Sequence, residues 1–373
     1  MADSGLVIVA LSGGVDSAVA ALCLRDAGYA VQCLHMSNWE DDGYCESARD
    51  FQDARRLCKQ LGLTLHRVNF VAEYRGRVFD RFLMEYRSGR TPNPDVLCNR
   101  EIKFGVLRHY ARRLGARWLA TGHYARLERV GRHVHLLKAR DSAKDQSYFL
   151  HAVAEPDFQD VLFPLGDMLK QEVRARARAA GLPVAEKKDS TGICFIGERP
   201  FAEFLGQYLA NEPGNIKDPE GHTVGRHRGL AFYTLGQRHG LGIGGLAGRP
   251  QDPWYVVAKD TVRNALIVAQ GNGHPLLYQN WLAASQIHWI NAPPPGWAEG
   301  APLKCRVKTR YRQHDQAARV TPCGEDALEV LFEQAQRAVT PGQYAVLYQG
   351  GRCLGGAMIR AAAMQDRSLE AAI

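Results

Sequence analysis

A short loop near the N-terminus constrains this chain more than any other feature. The apolar run Leu6-Val7-Ile8-Val9-Ala10 reads as a buried parallel strand, and Ala18-Val19-Ala20-Ala21-Leu22-Cys23-Leu24 is a strong helix former. Between them lies Leu11-Ser12-Gly13-Gly14-Val15-Asp16-Ser17. A strand, a loop of small residues and a helix N-terminus make an anion site, because backbone N–H groups and the helix dipole face the ligand. Gly13 and Gly14 let the backbone approach a phosphate with no Cβ in the way. The loop has neither the Gly-Lys-Ser/Thr of a Walker A motif nor the Gly-x-Gly-x-x-Gly of a dinucleotide fold. A plain strand-to-helix turn is the competing reading.

Strand and helix patterns alternate beyond this loop. Val31–Met36 and Leu63–Val68 read as strands, and residues 47–61 as an amphipathic helix with Phe51, Ala54, Leu57, Cys58 and Leu61 on one stripe. Ile102, Val106, Leu107, Tyr110, Ala111 and Leu114 stripe another helix, and Trp118–Thr121 forms a further strand. The series predicts an α/β fold with a parallel sheet, whose ligands bind beyond the carboxyl ends of the strands. Ser12, Met36 and Gly122 fall just past such ends. Gly131-Arg132 separates the arms of a hairpin, Ala125–Val130 and His133–Lys138, and residues 168–180 form a basic helix. From about residue 206 clear helices vanish and Gly and Pro become frequent; from 281 onward short strands predict a small β-barrel. The expected domains are 1–205, 206–280 and 281–373.

A chain of 373 residues is long enough for these three units and a sizeable core. Its nine cysteines are odd in number, widely spaced and free of Cys-x-x-Cys, which argues against a disulfide framework or a zinc site. No apolar run is long enough to span a bilayer, and the first strand begins by Leu6, leaving no room for a signal or transit peptide. A cytoplasmic protein, rather than a mitochondrial one, is expected. The net charge of +8 and pI near 9.0 permit a nucleic-acid partner.

Two cysteine segments carry possible chemistry. In Thr91-Pro92-Asn93-Pro94-Asp95-Val96-Leu97-Cys98-Asn99 the prolines stiffen a loop that ends at Cys98, close to a helix start and beside Arg100 and Lys103. A thiolate there is favoured by the helix dipole and the positive charge; a structural cysteine in a turn is the alternative. Cys194, in Asp189-Ser190-Thr191-Gly192-Ile193-Cys194-Phe195-Ile196-Gly197, is flanked by bulky apolar residues and by itself reads as a buried inert thiol. In Leu303–Arg312, the residues Lys304, Arg306, Lys308, Arg310 and Arg312 alternate with other types, which sets five positive charges on one strand face. That is either a phosphate-tracking stripe or a solvated edge strand.

Ser-Gly-Gly-Val-Asp-Ser (12–17) resembles the pyrophosphatase-type (PP) loop of ATP-dependent adenylating enzymes. With Asn-Pro-Asp-Val-Leu-Cys-Asn (93–99), Ala-Thr-Gly-His-Tyr-Ala-Arg (120–126), Lys-Asp-Gln-Ser-Tyr-Phe-Leu (144–150), Ser-Thr-Gly-Ile-Cys-Phe-Ile-Gly (190–197), Thr-Leu-Gly-Gln-Arg-His-Gly-Leu (234–241) and Arg-Tyr-Arg (310–312), the chain resembles the bacterial tRNA-specific 2-thiouridylase family over nearly its whole length. The resemblance implies an adenine-nucleotide alpha-hydrolase-like parallel-sheet domain, a small central domain and a C-terminal β-barrel.

It also implies exchange of the C2 oxygen of the wobble uridine, in tRNAs for Lys, Glu and Gln, for sulfur, after ATP adenylates that oxygen. Ala10, Leu11, Ser12, Gly13, Gly14, Val15, Asp16 and Ser17 would hold the ATP phosphates, and Met36 and Gly122 would border the adenine and ribose. Mg²⁺ is expected as counter-charge, with no side-chain metal ligands assigned. Cys194 would carry sulfur as a persulfide from a relay carrier or a cysteine-desulfurase-derived source. Cys98 would be the second thiol, and the two would finish as a disulfide. Asp95 is the candidate acid/base, or a turn-forming residue after Pro94. Asn93, Pro94 and Asp95 would line the target-base pocket. His123, Lys144, Asp145, Gln146, Arg310, Tyr311 and Gln343 would meet the tRNA anticodon stem-loop. Strict alternation puts Arg310 and Tyr311 on opposite faces, so the strand is expected to end or bulge there. A monomer is expected. Another adenylating enzyme with the same loop, or a tRNA-binding module with a relic nucleotide site, are the alternatives; the first needs no cysteine pair, and the intact loop argues against the second.

Overall fold

The computed structural model describes residues 5–39, 46–189, 201–244 and 252–365. Its first layer is a parallel sheet of β1 (Val7–Ala10), β2 (Val31–Ser37), β3 (Thr64–Asn69), β4 (Trp118–Ala120) and β7 (Val161–Leu162), in the order β3-β2-β1-β4-β7. Val7, Ile8 and Val9 of β1 have no exposed surface. A strand covered on both faces reads as a continuous apolar run, which is what these residues supply. Helix α1 (Val15–Asp26) packs against β1 and β2, the amphipathic α2 (Glu46–Leu61) against β2 and β3, and α3 (Lys170–Ala179) against α1. On the stripe of α2, Ala54, Leu57, Cys58 and Leu61 are buried and Phe51 is half-buried. β2 runs one residue past Met36, which therefore sits inside the strand end rather than beyond it.

The central sheet joins β8 (Gly214–Lys217), β9 (Thr223–His227), β10 (Trp254–Asp260) and β11 (Ala265–Gln270) in the order β10-β11-β8-β9. The last layer is a barrel of β12 (Tyr278–Trp289), β13 (Leu303–Lys308), β14 (Gln316–Pro322), β15 (Ala327–Arg337), β16 (Tyr344–Gln349) and β17 (Arg352–Ala363). β12 pairs with both β15 and β17, so the ring closes and its edges vanish. The hairpin of β5 (Ala125–Val130) and β6 (His133–Lys138) does not extend the parallel sheet. It pairs with β17 through Leu136 and Leu137 and ties the first layer to the barrel. Among the described residues, no helix is long and apolar enough to cross a membrane.

β13 ends at Lys308, so the expected charged strand face is shorter than alternation suggests. Lys304 and Arg306 are exposed, but Lys308 is buried and its ammonium lies 3.2 Å from Asp145 Oδ2. Arg310 and Tyr311 lie beyond the strand, which frees them from alternation.

Asp145 is turned inward. Its Oδ1 accepts from the N–H groups of Ala139 and Ser147, and its Oδ2 from the Ser147 hydroxyl and Lys308. Both members of the pair are less than a tenth exposed, so removing one leaves an uncompensated buried charge. Asp145→Ala is expected to cost about 3–5 kcal/mol of stability. Urea denaturation measures this, and a loss under 1 kcal/mol would contradict the scaffold role.

Candidate active site

The sheet reverses its winding at β1. The chain moves outward from β1 through β2 to β3, then adds β4 on the other side of β1. A crevice opens beyond the carboxyl ends of strands at such a switch point. Residues 11–17 leave β1 there, and Thr121, Gly122 and His123 leave β4. Helix α1 has Gly14 as its N-cap and no side-chain cap, so its first-turn N–H groups stay available to a ligand. Gly13 takes φ +85°, and a Cβ there would collide with the Asp50 carbonyl oxygen. The Ser17 hydroxyl donates to Gly14 O (3.1 Å) and accepts from the Ser12 N–H (3.2 Å), closing the loop on itself. A Cβ on Gly122 would lie 2.7 Å from Ser17 N and 2.8 Å from the Asp16 carbonyl carbon. Only glycine lets the end of β4 rest directly on the loop.

Around the loop, cations and carboxylates alternate. Lys170 Nζ lies 2.7 Å from Asp16 Oδ1 and 2.7 Å from Asp189 Oδ1. Asp189 also receives Lys144 and Arg174, each at 2.8 Å. Tyr124 donates to Asp16 Oδ1 at 2.8 Å, and burial together with that carboxylate pushes its phenol up, keeping it a donor. Lys187 donates to Gly13 O (3.1 Å), Asp50 (2.8 Å) and Asp53 (2.7 Å). A glycine-lined loop, an open helix N-terminus and two adjacent lysines fit a polyphosphate. Asp16 and Asp189 are both engaged by Lys170, so their carboxylates form no ready cage for a divalent cation.

The sequence reading did not single out Lys170, Asp189, Tyr124 or Lys187 for roles. Tyr124 stood inside a motif and Arg174 in the basic helix, but Lys170 meets Asp16 across 154 residues, a pairing no local pattern carries. Besides Asp189, Arg174 binds the carbonyls of Ala185 and Lys187.

Cys98 is not at a helix start. The helix begins at Pro94 with Asn93 as its N-cap, which places Cys98 a turn further in, buried, and removes the dipole argument for its thiolate. From Cys98 to Leu107 the helix adopts wider π-type turns, a geometry found often at functional sites. Lys103, on this segment, reaches within 3.5 Å of His123 Nε2, while His123 Nδ1 lies 2.7 Å from Thr121 Oγ1. Burial, reinforced by Lys103, holds His123 well below its ordinary pKa, so the ring is neutral. Burial raises the Asp95 carboxyl, and Lys103 offsets this only in part, which suits a group that exchanges a proton. Cys194 lies outside the described residues.

Several expected RNA-facing residues are held by contacts within the protein. Asn93 Nδ2 is 3.5 Å from Gln343 Oε1, and Gln343 Nε2 donates to Thr91 O at 2.8 Å. The Tyr311 hydroxyl lies 3.4 Å from Lys144 O, and its ring centroid is 4.4 Å from that of Phe149. Gln146 exchanges hydrogen bonds with the Tyr124 backbone at 2.7 and 2.9 Å. Asp145 is held inside, as above. Arg310 Nη2 lies 2.9 Å from Leu235 O, 2.8 Å from Ala338 O and 3.0 Å from Thr340 Oγ1, joining the central layer to the barrel.

This loop at a parallel-sheet switch point, followed by two further β units, defines the class: a nucleotide-binding α/β domain followed by two β modules. Family models agree, matching a tRNA methyl transferase HUP domain over residues 5–198, a tRNA methyl transferase PRC-barrel domain over 202–270 and an aminomethyltransferase β-barrel domain over 279–359. The chain is 54% identical to the tRNA-specific 2-thiouridylase MnmA of Methylococcus capsulatus, across 98% of this chain and 99% of that one. It is 56% identical to the protein of the same name from Chromohalobacter salexigens, across 95% and 92%. The chain belongs to the tRNA-specific 2-thiouridylase family.

Asp189 carries a pH signature. Burial alone would raise its carboxyl, but Lys144 and Lys170 hold it down to about 2, from an ordinary 3.8. A carboxyl depressed by folding stabilises the native state above its unfolded pKa and loses that contribution as pH falls through the folded value. The stability difference between wild type and Asp189→Asn is therefore expected to be constant above pH 5 and to shrink between pH 4 and 2. A difference independent of pH, measured by urea denaturation, would refute the pairing.

Proposed function

We propose that this protein thiolates the wobble uridine of tRNA at C2, at the expense of ATP, releasing AMP and pyrophosphate. The observation that carries the reading is the end of β4. Gly122 rests on the Asp16–Ser17 loop, and the next residue, His123, meets Lys103 of the Cys98 helix. An adenylation site and a thiol-bearing helix therefore share one short segment.

In this reading residues 10–17 grip the ATP phosphates, Met36 and Gly122 border the nucleoside, and Mg²⁺ supplies counter-charge when bound. Transfer of AMP to the C2 oxygen makes it a leaving group. A tRNA loop base is turned outward cheaply, and Asn93, Pro94 and Asp95 receive it. Cys194 carries the incoming sulfur as a persulfide delivered by a relay carrier. In one route the terminal sulfur attacks C2 and AMP departs. The Cys98 thiolate then attacks the Cys194 sulfur, breaking the S–S bond and leaving the new sulfur on the base. In the other route Cys98 first frees hydrosulfide, which attacks C2. Both end in a Cys98–Cys194 disulfide, which an external thiol reduces. Lys144, Gln146, Tyr311 and Gln343 meet the anticodon stem-loop, with His123, Asp145 and Arg310 supporting from behind. The substrates are tRNAs for Lys, Glu and Gln, and the protein acts as a cytoplasmic monomer.

Mass spectrometry of tRNA incubated with the protein, ATP, Mg²⁺ and a persulfide donor is expected to show one oxygen exchanged for sulfur at the wobble uridine. The gain is expected to vanish in Cys98→Ala. Cys194→Ser is expected to keep AMP formation but lose thiolation with a persulfide donor, and Asp16→Ala to lose AMP formation. AMP release without sulfur gain by the wild type would transfer the protein to another adenylating reaction. Gly122→Ala, which forces the β4 end off the loop, is expected to weaken ATP binding about tenfold, some 1.4 kcal/mol, in a calorimetric titration; unchanged affinity would remove the contact from the ATP site.

A further inference from the structure

The barrel reaches back into the first layer at one place, the turn between β15 and β16. There the Thr91 N–H donates to Pro341 O at 3.0 Å, and Gln343 Nε2 donates to Thr91 O at 2.8 Å. Both polar groups of one backbone unit are thus held by the turn. Gly342 has φ +92°, and a Cβ on it would lie 2.9 Å from the N, C and O atoms of Thr91. The turn is itself fixed to the barrel wall: Gly342 N donates to Ile359 O (2.9 Å) and Ile359 N to Gln343 O (2.8 Å). On the other side of the same loop, Lys259 of the central sheet donates to Gly89 O at 3.1 Å. Thr91 is buried, yet its hydroxyl finds no hydrogen-bond partner. Three residues beyond Thr91 the Cys98 helix begins, and Pro92 and Pro94 make the intervening chain stiff enough to transmit a displacement.

We propose that the Pro341-Gly342-Gln343 turn is a positioning device for the 91–98 segment, through which the barrel sets the placement of Asn93, Asp95 and Cys98. Gln343 then acts on the reaction through Thr91, besides any contact it makes with RNA. The kinetic part of this proposal rests on the thiolation reading above; the structural part does not.

The test uses the full-length chain and three variants. Gly342→Ala presses a methyl group on Thr91, and Gln343→Met removes the donor to Thr91 O while keeping the side-chain length. Gly350→Ala is the control: Gly350 also has positive φ (+58°), but a Cβ there meets nothing within 4 Å. The expected result is a fall in kcat for thiolation of tenfold or more in the first two variants, with KM for tRNA within twofold in Gly342→Ala, and no fall in the third. Alkylation of Cys98 by iodoacetamide, followed by peptide mass spectrometry, is expected to accelerate severalfold in the first two variants, while the exposed Cys323 reacts at the wild-type rate. A higher KM for tRNA with unchanged kcat and unchanged Cys98 alkylation would make Gln343 a plain RNA contact and overturn the proposal, as would wild-type behaviour in both variants. If the wild type does not thiolate, the functional reading fails, and the Cys98 alkylation rates still decide the positioning role.

Discussion

The approach of the β4 end to the nucleotide loop is the contact on which the rest of the site depends. Two backbones pass closer than any side chain allows, and the absence of a Cβ at Gly122 makes that possible. Because β1 and β4 are hydrogen-bonded neighbours in a buried sheet, neither can retreat to relieve a clash. The loop, the neutral His123 and, through Lys103, the Cys98 helix are consequently ordered by one rigid strand end. Placing reactive groups on such an element confers precision that a free loop would not.

Charge is managed by sharing. Lys170 stands between Asp16 and Asp189, and Asp189 in turn holds Lys144 and Arg174. In a half-buried setting, removing one member leaves the others undercompensated, so the group behaves as a unit. It also connects places with different duties. Asp16 lies in the first turn of α1, Lys144 lies beside Tyr311, and Asp189 stands five residues before Cys194. Lys187 fastens the same loop from the opposite side through Gly13 and α2.

Much of this was legible in the sequence, because the relevant signals are local. The strand–loop–helix at 7–26, the amphipathic stripe of α2, the hairpin around Gly131-Arg132 and the strand-rich C-terminal region all follow from periodicity and turn residues. Errors arose where a local rule met a tertiary demand. Alternation continued the charged strand to Arg312, whereas the chain leaves β13 at Lys308, where the ammonium is drawn inward to Asp145. The prolines at 92 and 94 looked like a loop that lasted to Cys98, but Pro94 is favourable in the first turn of a helix, and the helix starts there. The turn residues disclose the hairpin but not its partner: the pairing of Leu136 and Leu137 with β17 spans more than two hundred residues.

The sequence by itself determined the kind of element at each position and the chemical groups available, since helix and strand preference, glycine freedom and thiol chemistry belong to residues and their near neighbours. The tertiary structure alone decided which groups meet. Lys170 becomes part of the nucleotide site, Asp145 becomes scaffold and Gln343 becomes a support for Thr91 only because three layers pack together. Close packing and the need to pair every buried charge and hydrogen-bonding group act between residues far apart in the chain, and no spacing along the sequence encodes those distances.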